Sequence, residues 1–110
     1  MNIAILLKNG PCTDEAGRAL QTAGDMLAEG HSVSLYLLQE AVRFCRPRAE
    51  CANTAKLADL IGKDLRVNVL TPDAELRGVA VATAGPAISE GSYETLVDLV
   101  TSCDRVVGIL

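Results

Sequence analysis

The chain has 110 residues, 49% of them hydrophobic and 22% charged, which suits one buried core and argues for a single domain over residues 1–110. Ten basic residues stand against fourteen acidic ones, a net charge of −4, so no overall field draws the protein to nucleic acid and any basic site is local. The first apolar run, Ile3 to Leu7, is too short for a membrane span and lacks the flanks of a signal peptide; a soluble, cytoplasmic protein is expected, with reduced thiols and no disulfide framework.

In chain order, "NIAILL" (Asn2 to Leu7) has the near-continuous apolar character of a strand covered on both faces of a parallel sheet. Gly10 and Pro11 break the pattern. Thr13 is a suitable N-cap for a helix whose first turn carries Asp14 and Glu15 and whose inner stripe is Ala16, Ala19, Leu20, Ala23, Met26 and Leu27, stopped by Gly30. "SVSLYLL" (Ser32 to Leu38) is a second buried strand, which completes a βαβ unit. A loop or short helix follows at "QEAVRFCRPRAEC". Asn53 or Thr54 is placed to cap a helix with Ala55, Ala58, Leu60 and Ile61 turned to the core and Gly62 closing it.

"RVNVL" (Arg66 to Leu70) makes a third strand, and Thr71 with Pro72 starts the short helix "PDAELR", which ends at Gly78. "GVAVATAGPAIS" holds either a short fourth strand or an irregular crossover. The final helix has Tyr93, Leu96, Val97, Val100 and Cys103 at helical spacing, and "RVVGIL" closes the sheet. Strands alternating with helices predict a three-layer α/β/α sandwich with a mostly parallel sheet of about five strands and helices on both faces.

Reactive groups in such folds gather beyond the carboxyl ends of the strands. Cys12, leaving the first strand, and Cys45 and Cys51, leaving the second, fall on that edge, whereas Cys103 is read as a small core hydrophobe. The thiolate is the reactive form, and cations or a helix N-terminus favour it. Cys45, among Arg43, Arg46 and Arg48, has the strongest cationic setting. Cys51 shares Arg48 but borders Glu50, and Cys12 gains a helix start while facing Asp14 and Glu15. The alternative for all three is an ordinary loop cysteine among solvated arginines.

Other chemistry finds little support. Neither "KNGPCTDEAG" nor "ATAGPAISEG" supplies a P-loop, and GxGxxG is absent. The single histidine, His31, falls on the opposite edge from the three cysteines and is a poor partner for a Cys–His pair. Cys45 and Cys51 are spaced Cys-x5-Cys, which is not a usual zinc pattern, and a fourth ligand is missing, so no metal site is assigned. Two tyrosines and one phenylalanine leave few rings for a flavin.

Taken together, "IAILLKNGP", "AEGHSVSLYLLQEAV", "RVNVLTPDAELRGV" and "LVDLVTSCDRVVGIL" resemble the DsrE/DsrF-like, TusD-type sulfur-relay family, in order over essentially the whole chain. The resemblance implies a small α/β domain that works without a bound cofactor. It also implies assembly as a homo-oligomer, trimer or hexamer, or in a mixed complex with other sulfur-relay proteins, and, in active members, transfer of sulfane sulfur as a cysteine persulfide. The family's acceptor cysteine is expected eight positions before the glycine of an Arg-Gly pair. That pair is Arg77-Gly78, and counting back gives Leu70. Leucine forms no persulfide, although Thr71 and Pro72 after it still look like the family's site scaffold.

Three readings follow. In one, the protein is a carrier with a displaced acceptor, Cys45 first, then Cys51 or Cys12, served by Thr71, Arg43, Arg46 and Arg48. In another, it is a non-catalytic structural or regulatory subunit. The third is a small-ligand or metal-binding module.

Overall fold

The computed structural model describes residues 1–45, 51–81 and 87–109. Among them, five strands form one sheet: β1 (Asn2–Leu7), β2 (Ser32–Leu37), β3 (Arg66–Leu70), β4 (Ile88–Gly91) and β5 (Arg105–Ile109). Their order is β4-β3-β2-β1-β5 and every pairing is parallel. The helices are α1 (Asp14–Ala28), α2 (Ala52–Ile61), α3 (Thr71–Leu76) and α4 (Tyr93–Ser102), with a 3-10 helix over Gln39–Cys45. The three-layer α/β/α expectation holds. Residues 46–50 and 82–86, which include Arg46 and Arg48 and part of the uncertain "GVAVATAGPAIS" stretch, lie outside the described residues; the strand in that stretch is Ile88–Gly91.

Strand side chains alternate between two faces. Ile3, Ile5, Leu7, Val33, Leu35, Leu37, Val67 and Val69 form one buried cluster with Ala16, Ala19, Leu20 and Ala23 of α1 and Leu57 and Leu60 of α2. The small α1 residues let that helix lie close to the sheet. On the other face Ala4 and Tyr36 are fully buried, and the Tyr36 hydroxyl reaches α4, donating to the Ser92 carbonyl at 3.0 Å and lying 2.9 Å from Thr95 Oγ1. Helices therefore cover both faces. The connections from β1 through β3 step one way along the sheet, which puts α1 and α2 side by side, while α4 returns across the opposite face from β4 to β5.

Thr13 caps α1 as expected: its Oγ1 accepts from the Ala16 amide at 3.2 Å, and Gly30 ends the helix at φ +89°. Three expectations change. The α2 cap is Cys51 rather than Asn53 or Thr54, and the helix turns Leu57 and Leu60 inward while Ala55 and Ala58 are exposed. This registers α2 on its larger side chains. In α4, Tyr93 and Val97 stand 60% and 58% exposed, one turn apart on the outer side, and Leu96, Leu99 and Val100 are half-buried. Cys103 is not a core residue; it caps the C-terminus of α4, half-buried, with its Sγ 3.5 Å from the Val100 carbonyl.

Candidate thiol site

Because all strands run one way, their carboxyl ends form one edge, and the turns leaving β1 and β2 meet there. Ala41 donates its amide to the Lys8 carbonyl at 3.2 Å and Leu38 donates to Leu7 at 2.9 Å, so the 3-10 helix is anchored to the end of β1. Two of the three candidate cysteines come together on this edge. Cys12 and Cys51 are disulfide-bonded, with Cα atoms 5.9 Å apart and a sequence separation of 39. The expectation of reduced thiols and no disulfide framework, drawn from a cytoplasmic setting, is thus overturned. The reason is topological: α1 and α2 lie side by side on one face, so their N-termini are neighbours, and Cys12 and Cys51 each stand at or just before a helix start.

The two sulfurs differ in setting. Cys12 is exposed and precedes Thr13, whose hydroxyl already satisfies an α1 amide, and Asp14 and Glu15 follow in the first turn. Cys51 is half-buried and is itself the N-cap of the ten-residue α2, with extended backbone (φ −138°, ψ 164°) and no acidic residue in the first helical turn. A negative charge is better placed on the Cys51 sulfur, at the positive end of α2, than on the Cys12 sulfur, where Asp14 and Glu15 follow in the first turn of α1. Asn53 ties the two segments together independently of sulfur: its Nδ2 donates to the carbonyl oxygens of Pro11 at 2.8 Å and Thr13 at 3.1 Å. Sequence reading missed this role by treating Asn53 as a cap.

Cys45 departs from its expected setting. It lies in the core at 6% exposure, and burial pushes its thiol up to about 11, the reverse of the activation expected from neighbouring arginines. Arg43 turns away from it. Its Nε donates to Glu40 at 2.6 Å, and Arg77 Nε donates to the other Glu40 oxygen at 2.8 Å. Hydrogen bonds from Arg43, then from Arg77, hold the Glu40 carboxyl below the usual carboxylate range. Arg77 also donates to the Asp73 carbonyl at 3.2 Å, and Asp73 Oδ2 accepts from the Gln39 amide at 2.7 Å, where Gln39 has φ +47°. Glu40 with Arg77, and Gln39 with Asp73, thus brace the 3-10 helix against α3, while Arg43 stays within the 3-10 helix.

Leu70 is buried at 3% exposure at the end of β3, and Thr71 is half-buried as the first residue of α3. Both lie on the same carboxyl edge as the cysteine pair. His31 lies at the other end of the sheet beside a cleft of about 600 Å³ lined by Lys63 and Arg66 among others, with its ring nitrogens 3.3 Å from the Met1 amine and 3.5 Å from Glu29. No group of three or more metal-ligating side chains occurs among the described residues. None of the helices there is long and apolar enough to cross a membrane.

A parallel five-stranded sheet with helices on both faces defines the class: a three-layer α/β/α fold. A solved structure similar to it is the crystal structure of the ychN protein from E. coli, with a TM-score of 0.83, 19% identity and 98% of each chain covered. At that identity the likeness shows the fold alone. No family model matches the chain, and no curated protein matches it.

Proposed function

We propose that this chain is a sulfur-relay-type protein whose acceptor thiol is Cys12, working beside Cys51. The observation that carries this reading is the pairing of these two cysteines on the carboxyl edge of a DsrE-like sheet. In the dithiol state the Cys12 thiolate attacks the outer sulfur of a donor persulfide, R–S–SH, forming Cys12–S–SH and releasing R–S⁻. A partner thiolate then takes the terminal sulfur and restores Cys12. Cys45 is a weaker candidate because its buried thiol resists ionisation. Sulfur donor and acceptor are other relay proteins in the same compartment, the cytoplasm.

The test is mass mapping of every cysteine after the reduced protein is exposed to inorganic polysulfide. Cys12 is expected to gain one sulfur, most clearly in Cys51→Ser, where no neighbouring thiol removes it. Absence of added sulfur on any cysteine overturns the carrier reading.

A second reading has its own observation. The family's acceptor position holds Leu70, sealed in the core, and Tyr93, Val97 and Val106 are left exposed at 60%, 58% and 42%. These favour a non-catalytic subunit that covers apolar surface with another chain, as a homo-oligomer, trimer or hexamer, or in a mixed complex. In that case a Cys12→Ser/Cys45→Ser/Cys51→Ser protein keeps its assembly state by light scattering, while Tyr93→Ser/Val97→Ser loses it.

A further inference from the structure

We propose that Cys12–Cys51 is an exchange-active disulfide with fixed polarity: an external thiol attacks the Cys12 sulfur, and Cys51 leaves as the thiolate. The pair then acts as a redox gate on the Cys12 thiol. This builds on the site proposed above, but it is a separate activity, measurable without any sulfur donor.

Two independent features set the polarity. The first is access. Thiolate attack on a disulfide proceeds through approach to one sulfur along the S–S bond, so the exposed sulfur is favoured, and Cys12 is exposed while Cys51 is half-buried at the base of α2. The second is the leaving group, since the sulfur better able to hold negative charge departs faster. Cys51 is the N-cap of α2, whose first turn, Ala52 to Thr54, carries no carboxylate. Cys12 lacks that help. The start of α1 is already closed by Thr13 Oγ1 and carries Asp14 and Glu15, so charge on the Cys12 sulfur would meet like charge. Both features select the same sulfur for attack.

The chemistry balances with an ordinary thiol as reductant. R–S⁻ attacks Cys12 Sγ, the Cys12–Cys51 bond breaks, and the products are a mixed disulfide at Cys12 and the Cys51 thiolate. A second R–S⁻ attacks the sulfur of R, releasing R–S–S–R and the Cys12 thiolate. Two electrons pass from two thiols to the protein, and the two cysteine sulfurs take up protons according to pH. In reverse, Cys51 resolves whatever is attached to Cys12. If that is a persulfide, attack by the Cys51 thiolate on Cys12 Sγ reforms the disulfide and expels HS⁻. Asn53 favours this closure by holding the Cys12 turn to α2 when the covalent link is open.

The experiment uses the oxidised full-length chain and reduced glutathione, with samples quenched in N-ethylmaleimide over a time course and mapped by peptide mass spectrometry. The expected intermediate carries glutathione on Cys12 and maleimide on Cys51, in excess over the opposite arrangement by about tenfold or more. Equal distribution, or glutathione mainly on Cys51, overturns the polarity. Resistance of the disulfide to glutathione in the folded protein, with opening only in denaturant, overturns the exchange activity and makes the bond a structural cross-link. Cys12→Ser and Cys51→Ser provide matched controls, since both lose the same cross-link: challenged with oxidised glutathione, each is expected to hold a stable mixed disulfide at the remaining cysteine of the pair that dithiothreitol removes. Failure of polysulfide to load Cys12 would leave these outcomes unchanged, so the two proposals fail separately.

Discussion

Asn53 donates its side-chain amide to the Pro11 carbonyl at 2.8 Å, joining the turn before α1 to the first turn of α2 next to the disulfide. A second bond from the same nitrogen to the Thr13 carbonyl brackets Cys12 between the two acceptors. The clamp holds the two sulfur-bearing segments near one another when the disulfide is open, and so raises the effective concentration of one thiol at the other. Asn53→Ala removes both bonds. Reduced Asn53→Ala is expected to reform the Cys12–Cys51 disulfide several-fold more slowly than the unaltered protein after transfer to oxidised glutathione, followed by loss of alkylatable thiol. An unchanged closure rate would mean that packing of α1 against α2 alone sets the geometry.

Opening the disulfide also changes stability. The bond closes a loop spanning 39 positions, and constraint of the unfolded chain by a loop of that size is worth roughly 2–4 kcal/mol. Dithiothreitol is therefore expected to lower the urea midpoint without unfolding the protein at room temperature, because the core cluster does not involve either sulfur. Cys12→Ser and Cys51→Ser should match the reduced protein and each other. A Cys51→Ser variant much less stable than Cys12→Ser would show that Cys51 also stabilises α2 through its cap position.

The fold was legible because its signals are local and repeated: Ile3 to Leu7 reads as a buried strand, Thr13 as a cap, and Gly30 as a stop, and each has that role. The thiol site was only partly legible. Placing Cys12 and Cys51 on one edge followed from strand direction, but their contact depends on α1 and α2 lying side by side, a long-range relation that right-handed crossovers could have supplied. Cys45 misled for a different reason. Sequence neighbours such as Arg43 were treated as spatial neighbours, whereas the 3-10 helix turns Arg43 out to Glu40 and Cys45 into the core. Tyr36, one of the few aromatic residues, gave no local sign that its hydroxyl meets α4 across the second face.

That contact makes a prediction about the β4–α4 junction. A Cβ built on Gly91 would lie 2.8 Å from Tyr36 Cζ and 3.0 Å from Thr95 Oγ1, so Gly91 is the gap through which the phenol reaches Ser92 and Thr95. Gly91→Ala is expected to cost about 1–3 kcal/mol through overpacking. Tyr36→Phe removes the hydroxyl bonds and is expected to cost about 1 kcal/mol. The two changes act on one space, so Gly91→Ala should be less harmful in Tyr36→Phe than alone, read as a coupling energy from urea unfolding. Additive losses would show that α4 shifts to relieve the contact.

The buried Cys45 thiol predicts an alkaline limit to stability. Its ordinary value of 9.0 rises to about 11 in the folded chain because burial disfavours the thiolate. The unfolded chain therefore loses this proton at lower pH than the folded chain does. The stabilisation is fully present below about pH 9 and is lost as pH rises toward 11, where the unfolded state is favoured by its earlier ionisation. A separation of about two pKa units corresponds to roughly 2–3 kcal/mol, on an order-of-magnitude scale. Cys45→Ala is expected to be less stable at neutral pH, because the core loses a sulfur, yet to show a shallower decline between pH 9 and 11 in parallel urea titrations. At pH 8, iodoacetamide should modify Cys45 in the folded protein far more slowly than in urea. Fast alkylation of the folded protein at Cys45, or an unchanged alkaline decline in Cys45→Ala, would return Cys45 to the set of working thiols.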